Sequence, residues 1–128
     1  MTTVLVQRRI AGPPERAWHG FVEEVDRWWG RDGRYRTHSD STVRFEHDAL
    51  LEIAADTERR IATVVASEPP SRLELLLGED PVTIRFLPDG DGTKVVVEAR
   101  RPAHLTAFQS AVGLFWADAL SALGRAVG

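Results

Sequence analysis

Residues 102–127, PAHLTAFQSAVGLFWADALSALGRAV, have the spacing of one long amphipathic helix. Their apolar side chains recur at steps of four, three, four and four, at Phe108, Val112, Phe115, Ala119 and Leu123. Side chains at this spacing share one side of a helix and leave water only if another apolar surface covers them. The stretch therefore predicts a helix that packs lengthwise on a second layer of structure.

Short apolar runs separated by turn signals predict that second layer. The runs are 4–10, 43–45, 49–55, 60–67, 72–77, 81–87 and 94–100. Asp89-Gly90-Asp91-Gly92 supplies the glycines of a tight hairpin turn, and the prolines at 69 and 70 cannot continue a strand ladder. Short strands at this spacing are typical of an antiparallel meander.

Alternation in the last two runs separates a dry face from a wet one. The predicted dry face carries Val82, Ile84, Phe86, Val95, Val97 and Ala99. Two short helices, at 14–22 and 25–29, follow the first strand, since prolines suit a first helical turn. We therefore predict a single α+β domain over residues 1–128, in which the dry face of an antiparallel sheet covers the long helix.

Composition excludes several classes of protein. The chain has 128 residues, 43% of them hydrophobic and 27% charged, with a net charge of -3 and no cysteine. Such a chain suits one globular core, and interleaved acidic and basic residues argue against a nucleic-acid partner. The lack of cysteine excludes disulfides and thiolate chemistry. No segment has the pattern of a signal peptide or a membrane span, so we expect a cytoplasmic protein with no membrane partner.

Five segments carry a resemblance to a known superfamily: AGPPERAW at 11–18, WWG at 28–30, 61–70 ending in Glu-Pro-Pro, DGDGT at 89–93 and WADALSAL at 116–123. In order and spacing, the chain resembles the START-like (SRPBCC, birch-pollen-allergen-like) superfamily. Within it, the chain is similar to homologues of the activator of the heat-shock-chaperone ATPase. The resemblance implies a helix-grip fold, in which a curved antiparallel sheet wraps around the C-terminal helix and leaves an apolar cavity for hydrophobic ligands.

A ligand in such a cavity would meet aromatic walls and a few polar groups. The candidate ligand-binding residues are Trp28, Trp29, Tyr35, His47, Phe86, Phe108, Val112, Phe115 and Trp116. Residues 30–42 form the predicted gate. For the tryptophans and the helical stripe, packing in a solid core is the alternative, because either role requires apolar side chains.

The sequence gives little support for catalysis or for a cofactor. It lacks a Gly-x-Ser-x-Gly motif, a phosphate-binding loop and the His-Glu-x-x-His spacing of a zinc site, so we expect no metal and no cofactor. His38 and His47 lie near acidic residues, but without ligand spacing. Glu52, Glu74 and His47 are the candidate acids or bases. Strand alternation turns Glu74 outward if Leu73 and Leu75 face inward, and Glu52 outward if Leu51 and Ile53 are core residues.

Three functions from different classes follow. The first is binding of a small hydrophobic or aromatic ligand between the sheet and the helix. The second is a co-chaperone-like interaction module, whose partner is a chaperone or a second copy in a homodimer and whose surface includes Trp29, Leu76 and Val96. The third is a cofactor-free cyclase or dehydratase, which needs an acid or base in the cavity.

Overall fold

A computed structural model describes residues 2–30, 35–38, 40–101 and 106–127, with side chains in the last range described from residue 111. Within these residues the chain forms seven strands and three helices. In chain order they are β1 (Thr2–Ala11), α1 (Pro14–Glu23), α2 (Val25–Trp28), β2 (Thr42–Glu46), β3 (Ala49–Ala54), β4 (Thr57–Glu68), β5 (Arg72–Leu77), β6 (Asp80–Asp89), β7 (Gly92–Arg101) and α3 (Thr106–Val127). This order confirms the predicted one.

The strands form one curved antiparallel sheet in the order β1-β7-β6-β5-β4-β3-β2. Each strand after β2 pairs with the one before it, as in a meander, and β1 closes the far edge against β7. The predicted hairpin is confirmed, since Asp89 pairs with Gly92 and Gly90 adopts a φ of 63°. Glycine suits that position because its backbone enters the left-handed region without a steric penalty.

The core lies between the concave face of the sheet and α3. All six residues of the predicted dry face are buried, and so are the described members of the helical stripe, Val112, Phe115, Ala119 and Leu123. Phe108 lies outside the described side chains. The structure thus confirms a helix-grip α+β fold.

A close contact between α1 and α3 sets the position of the long helix. A Cβ atom on Gly20 would lie 2.1 Å from Cγ1 of Val127, so only glycine lets the two helices approach this closely. Arg16 Nε also donates a hydrogen bond of 2.6 Å to the carbonyl oxygen of Val127. With this end held on α1, the middle of α3, at Phe115 and Trp116, lies beside α2 and the segment that follows it.

The inner face of β3 carries Glu52 in place of Leu51 and Ile53. Leu50 and Glu52 are buried, whereas Leu51 and Ile53 are only partly buried. The outward position of Glu52 depended on Leu51 and Ile53 being core residues, and that condition is not met. Glu52 faces inward, where its carboxylate accepts hydrogen bonds from several donors. Glu74 does lie on the outer face as predicted, between buried leucines and paired with Arg72.

None of the helices in the described part of the chain is long and apolar enough to cross a membrane.

Candidate functional site

Four aromatic side chains meet where α2, the segment after it and α3 come together. We call Trp29, Tyr35, Phe115 and Trp116 the aromatic cluster. Trp29 lies at its centre, with ring centroids 5.1 Å from Phe115, 5.8 Å from Trp116 and 6.4 Å from Tyr35. The contacts to Phe115 and Trp116 are edge-to-face, an arrangement that aromatic pairs prefer. All four residues were predicted from the sequence to bind a ligand, and the structure brings them together.

Two other predicted residues belong to a neighbouring group of rings. Trp28 packs on Phe21 at 4.6 Å, and Phe86 contacts both Phe21 at 5.6 Å and Trp18 at 5.4 Å. Trp28 also donates a buried hydrogen bond of 3.0 Å from Nε1 to the carbonyl oxygen of Gly20. With its ring covered and its donor satisfied, Trp28 has the surroundings of a core residue. These contacts favour the core alternative for Trp28.

The aromatic cluster reaches the surface at Tyr35. This residue is only partly buried, and its ring lies 4.8 Å from that of Phe115. Its carbonyl oxygen accepts hydrogen bonds from Trp29 Nε1 at 3.3 Å and from Arg59 Nη2 at 3.4 Å. The aromatic cluster therefore runs from the fully buried Trp116 to a side chain that meets solvent.

An ion pair lies near this outer end. Arg101, at the end of β7, donates two hydrogen bonds of 3.1 and 2.8 Å to the carboxylate of Asp80. The bonds to Asp80, together with the charge of Asp80 and an electrostatic interaction with Tyr35, outweigh desolvation and raise the pKa of Arg101 above its ordinary value. The guanidinium is thus held by the carboxylate of Asp80.

Trp116 has a different polar environment from the other two tryptophans of this region. Its side chain is 0% exposed, and its Nε1 has no hydrogen-bond acceptor among the described residues. Trp28 and Trp29 donate to the carbonyl oxygens of Gly20 and Tyr35. Leaving a buried donor without an acceptor costs about 1–3 kcal/mol. At the inner end of the aromatic cluster, therefore, an N–H group has no acceptor in the part of the chain that the structure describes.

Glu52 holds the segment after α2 on the sheet. Its carboxylate accepts hydrogen bonds from the backbone N–H groups of Thr37 and His38, from the Ser41 hydroxyl at 2.7 Å and from Arg59 Nη2 at 2.9 Å. Burial alone would raise the pKa of Glu52, but the bonds from Thr37, His38, Ser41 and Arg59 outweigh it and lower that pKa far below its ordinary range. The group is thus a fixed carboxylate and not a proton donor.

Arg36 fixes the same segment to α2. Its fully buried side chain donates hydrogen bonds to the carbonyl oxygens of Ser41 at 2.9 Å and Trp29 at 3.3 Å, and forms an ion pair of 3.3 Å with Asp26. Asp26 in turn accepts a hydrogen bond of 2.9 Å from the backbone N–H of Val43. The described part of the predicted gate is therefore anchored at both ends. The rest of it, residues 31–34 and 39, lies outside the described residues.

Sequence reasoning missed the burial of Arg36 and the anchoring role of Glu52. Arg36 belongs to an arginine-rich stretch that predicts a solvated loop, yet its side chain is buried. Glu52 alternates with apolar neighbours, which predicts an outward side chain. A signal for such groups would have to come from their hydrogen-bond partners. The partners Ser41, His38 and Thr37 lie 11 to 15 residues from Glu52 in the sequence. No local pattern records such pairings.

The remaining predicted residues lie elsewhere. Val112 is buried on the helical stripe. His47 is exposed at the turn between β2 and β3, where it adopts a φ of 58°, and it borders an open cleft of about 340 Å³ with Glu46, Asp48 and Arg60. The structure does not bring His47 to the aromatic cluster. His47 therefore does not supply the cluster with a polar group.

The alternative functions lose residues on which they depended. Trp29 is buried, so the prediction that it forms part of an interaction surface is wrong; Leu76 is 37% exposed and Val96 is partly buried. Of the candidate acids and bases, Glu52 is saturated by donors, Glu74 lies on the outer face and His47 is at a distant turn. Within the described ranges, no group of three or more histidine and carboxylate side chains is placed to hold a metal ion.

Comparison with known proteins shows the fold. No protein-family model matches the chain, and neither does any curated protein. Solved structures that match include CalU16 from Micromonospora echinospora, at 18% identity and a TM-score of 0.68 over 98% of this chain and 76% of that one. An AHSA1-like protein from Aeromonas hydrophila matches at 18% identity and a TM-score of 0.68, over 98% of this chain and 92% of that one.

A third structural match is longer than this chain. DynU16, a protein in the dynemicin biosynthetic locus, matches at 19% identity and a TM-score of 0.68 over 96% of this chain. The match spans 46% of DynU16, so this chain corresponds to about half of that protein. Together these neighbours show that the chain has the helix-grip fold.

Proposed function

We propose that this protein binds a small hydrophobic, aromatic ligand between the sheet and α3, at the aromatic cluster. The observation that carries the proposal is the course of that cluster, which runs without interruption from the buried Trp116 through Trp29 and Phe115 to the partly exposed Tyr35. A flat molecule bound at the cluster would pack against aromatic rings along this course. Ligand sites are commonly apolar and aromatic, with a few polar groups that fix orientation.

The framework around the aromatic cluster is suited to a pre-formed site. Buried hydrogen bonds of Glu52 and Arg36 hold Thr37, His38 and Ser41 on β3 and α2, so the backbone next to Tyr35 has a defined position. The hydrogen bond from Trp29 Nε1 to the Tyr35 carbonyl oxygen then ties the centre of the cluster to its outer end. A framework that is already ordered loses less conformational entropy when the ligand binds.

The fold neighbours support a ligand-binding role in general terms. One is a protein in the dynemicin biosynthetic locus, and another is an AHSA1-like protein. At identities of 18 to 19% they share a fold with this chain, and a fold accommodates unrelated functions. The proposal therefore depends on the aromatic cluster itself.

The test is a fluorescence titration with N-phenyl-1-naphthylamine, an uncharged aromatic dye that brightens in apolar surroundings. We expect saturable binding of one dye per chain. Tyr35→Ala removes the outer ring of the cluster and should weaken the dye at least fivefold, on the order expected for one lost aromatic contact. The matched control is Leu87→Ala, which truncates an exposed side chain on β6 and should leave the affinity unchanged.

Two results would contradict the proposal. One is the absence of saturable dye binding to the intact chain. The other is equal weakening by Tyr35→Ala and Leu87→Ala, which would place the dye on the general surface and not at the aromatic cluster.

A further inference from the structure

We infer that the ligand carries an uncharged hydrogen-bond acceptor, such as a ketone, ether or ring-nitrogen atom, which takes the hydrogen bond of Trp116 Nε1–H. This inference rests on the proposed function and specifies its ligand class. It predicts that the protein binds aromatic molecules with an inward-facing acceptor more tightly than hydrocarbons of the same shape.

Three tryptophans within one region differ in the hydrogen bonds of their indole N–H groups. Trp28 donates to the Gly20 carbonyl oxygen at 3.0 Å, and Trp29 donates to the Tyr35 carbonyl oxygen at 3.3 Å. Trp116 is 0% exposed, and nothing in the described part of the chain accepts its hydrogen bond. Buried polar groups in native proteins nearly always have partners, so an orphaned one requires an explanation.

A water molecule or a neighbouring ring could also interact with this N–H group. A buried water needs about two to four polar partners, whereas the ring neighbours of Trp116 are Trp29 and Phe115. Both rings stand nearly perpendicular to Trp116, at 89° and 86°, so in the described part of the chain an N–H contact to a π face is the internal alternative. Such contacts are weaker than a bond to an oxygen atom. An acceptor on a ligand would therefore improve on every internal partner.

The charges beside the aromatic cluster favour a neutral acceptor. An anion buried beside Trp116 would need a positive charge that no carboxylate already balances, since an isolated charge is costly to bury. The arginines that bond to the backbone of Tyr35 and Trp29 are each paired with a carboxylate, Arg59 with Glu52 and Arg36 with Asp26. A neutral acceptor takes the N–H bond without this cost. Ketones, ethers and ring nitrogens meet that requirement.

The experiment compares 9-fluorenone with fluorene, which have the same ring skeleton and differ by one carbonyl group. Affinities are measured by titration for the unaltered chain and for Trp116→Phe, which keeps an aromatic ring and removes the N–H group. We expect 9-fluorenone to bind roughly tenfold more tightly than fluorene, and Trp116→Phe to abolish that preference by weakening 9-fluorenone alone. Trp28→Phe is the matched control, because it removes an N–H group that already has an acceptor and should preserve the preference.

A second measurement keeps the inference testable if Trp116→Phe does not fold. In ¹H–¹⁵N spectra of the intact chain, the indole N–H signal of Trp116 should move downfield with 9-fluorenone and not with fluorene, while the Trp28 signal stays in place. Equal binding of both compounds, or binding of 9-fluorenone without that shift, overturns the inference and leaves the proposed function standing. Failure of both compounds and of the naphthylamine dye to bind overturns the proposed function itself.

Discussion

Glu52 and Trp116 are both almost completely removed from water, with 2% and 0% of their surface exposed, yet their polar atoms have opposite surroundings. The carboxylate of Glu52 accepts hydrogen bonds from two backbone N–H groups, two hydroxyls and a guanidinium. The Nε1 of Trp116 has no acceptor in the described part of the chain. One group is saturated by its own protein and the other is not.

Glu52 builds the fold, whereas we propose that the N–H group of Trp116 is available to a ligand. The donors to Glu52 hold Thr37, His38 and Ser41 in place, so these hydrogen bonds stabilise the folded chain. A ligand acceptor would supply the hydrogen bond that no described residue makes with Trp116 Nε1. Substitutions at the two residues should therefore affect stability and binding in opposite proportions.

The largest expected effect is at Glu52. Glu52→Leu removes the acceptor and leaves several buried donors and the Arg59 guanidinium without a partner, which should lower the free energy of unfolding by about 3–5 kcal/mol. Urea unfolding followed by circular dichroism measures this change. Glu74→Leu, at a partly exposed carboxylate on the outer face, is the control and should cost less than about 1 kcal/mol. Similar losses in the two variants would show that Glu52 does not anchor the segment.

Lowering the pH should reduce the free energy of unfolding through Glu52, without a mutation. Because the pKa of Glu52 is lowered in the folded chain, the unfolded chain binds this proton more readily, and stability falls as pH decreases. The contribution is fully present well above the ordinary glutamate pKa of about 4.3 and declines below about pH 5. Urea midpoints measured from pH 7 to pH 3 follow this decline. Glu52→Gln should flatten the curve, and an equally steep curve in that variant would contradict the assignment.

A smaller effect is expected at Trp28. Trp28→Phe removes the hydrogen bond to the Gly20 carbonyl oxygen and part of a buried ring, so the free energy of unfolding should fall by about 1–3 kcal/mol. Thermal and urea unfolding both report this loss. Affinity for 9-fluorenone relative to fluorene should be unchanged, because the lost donor already had a partner. A changed preference would place Trp28 in the ligand site and contradict its assignment to the core.

The smallest effect on stability is expected at Trp116. Trp116→Phe also shrinks a buried ring, but it removes an unsatisfied donor, whose burial costs about 1–3 kcal/mol, and the two effects nearly offset each other. We expect a change within about 1 kcal/mol in urea unfolding, smaller than for Trp28→Phe. A loss larger than that of Trp28→Phe would mean that the N–H of Trp116 is bonded in the ligand-free protein, which removes the basis of the comparison.

The fold was predictable because its signals are local and repeated. The helical stripe that includes Val112 and Phe115, the alternation on β6 and β7, and the Gly90 hairpin each depend on residues close in sequence. Such patterns record which face of an element is dry. These patterns were enough to predict the order of the elements. That order in turn brings Trp29, Phe115 and Trp116 close to one another.

The polar part of the site was not predictable in the same way. The inward position of Glu52 depends on donors from a separate segment, and the burial of Arg36 depends on Asp26 and on two backbone carbonyl groups. His47 has the residue type of a ligand contact but lies at an exposed turn. Whether a buried polar atom has a partner is a property of the assembled structure. The sequence therefore could not predict that the N–H of Trp116 has no acceptor among the described residues.

The most direct test of ligand binding is native mass spectrometry of the freshly purified chain, before and after incubation with excess 9-fluorenone. The account predicts one bound aromatic molecule per chain, retained from the cell or taken up from solution, and its loss on denaturation. A spectrum that shows only the bare chain under both conditions would contradict the claim that the aromatic cluster is a ligand site.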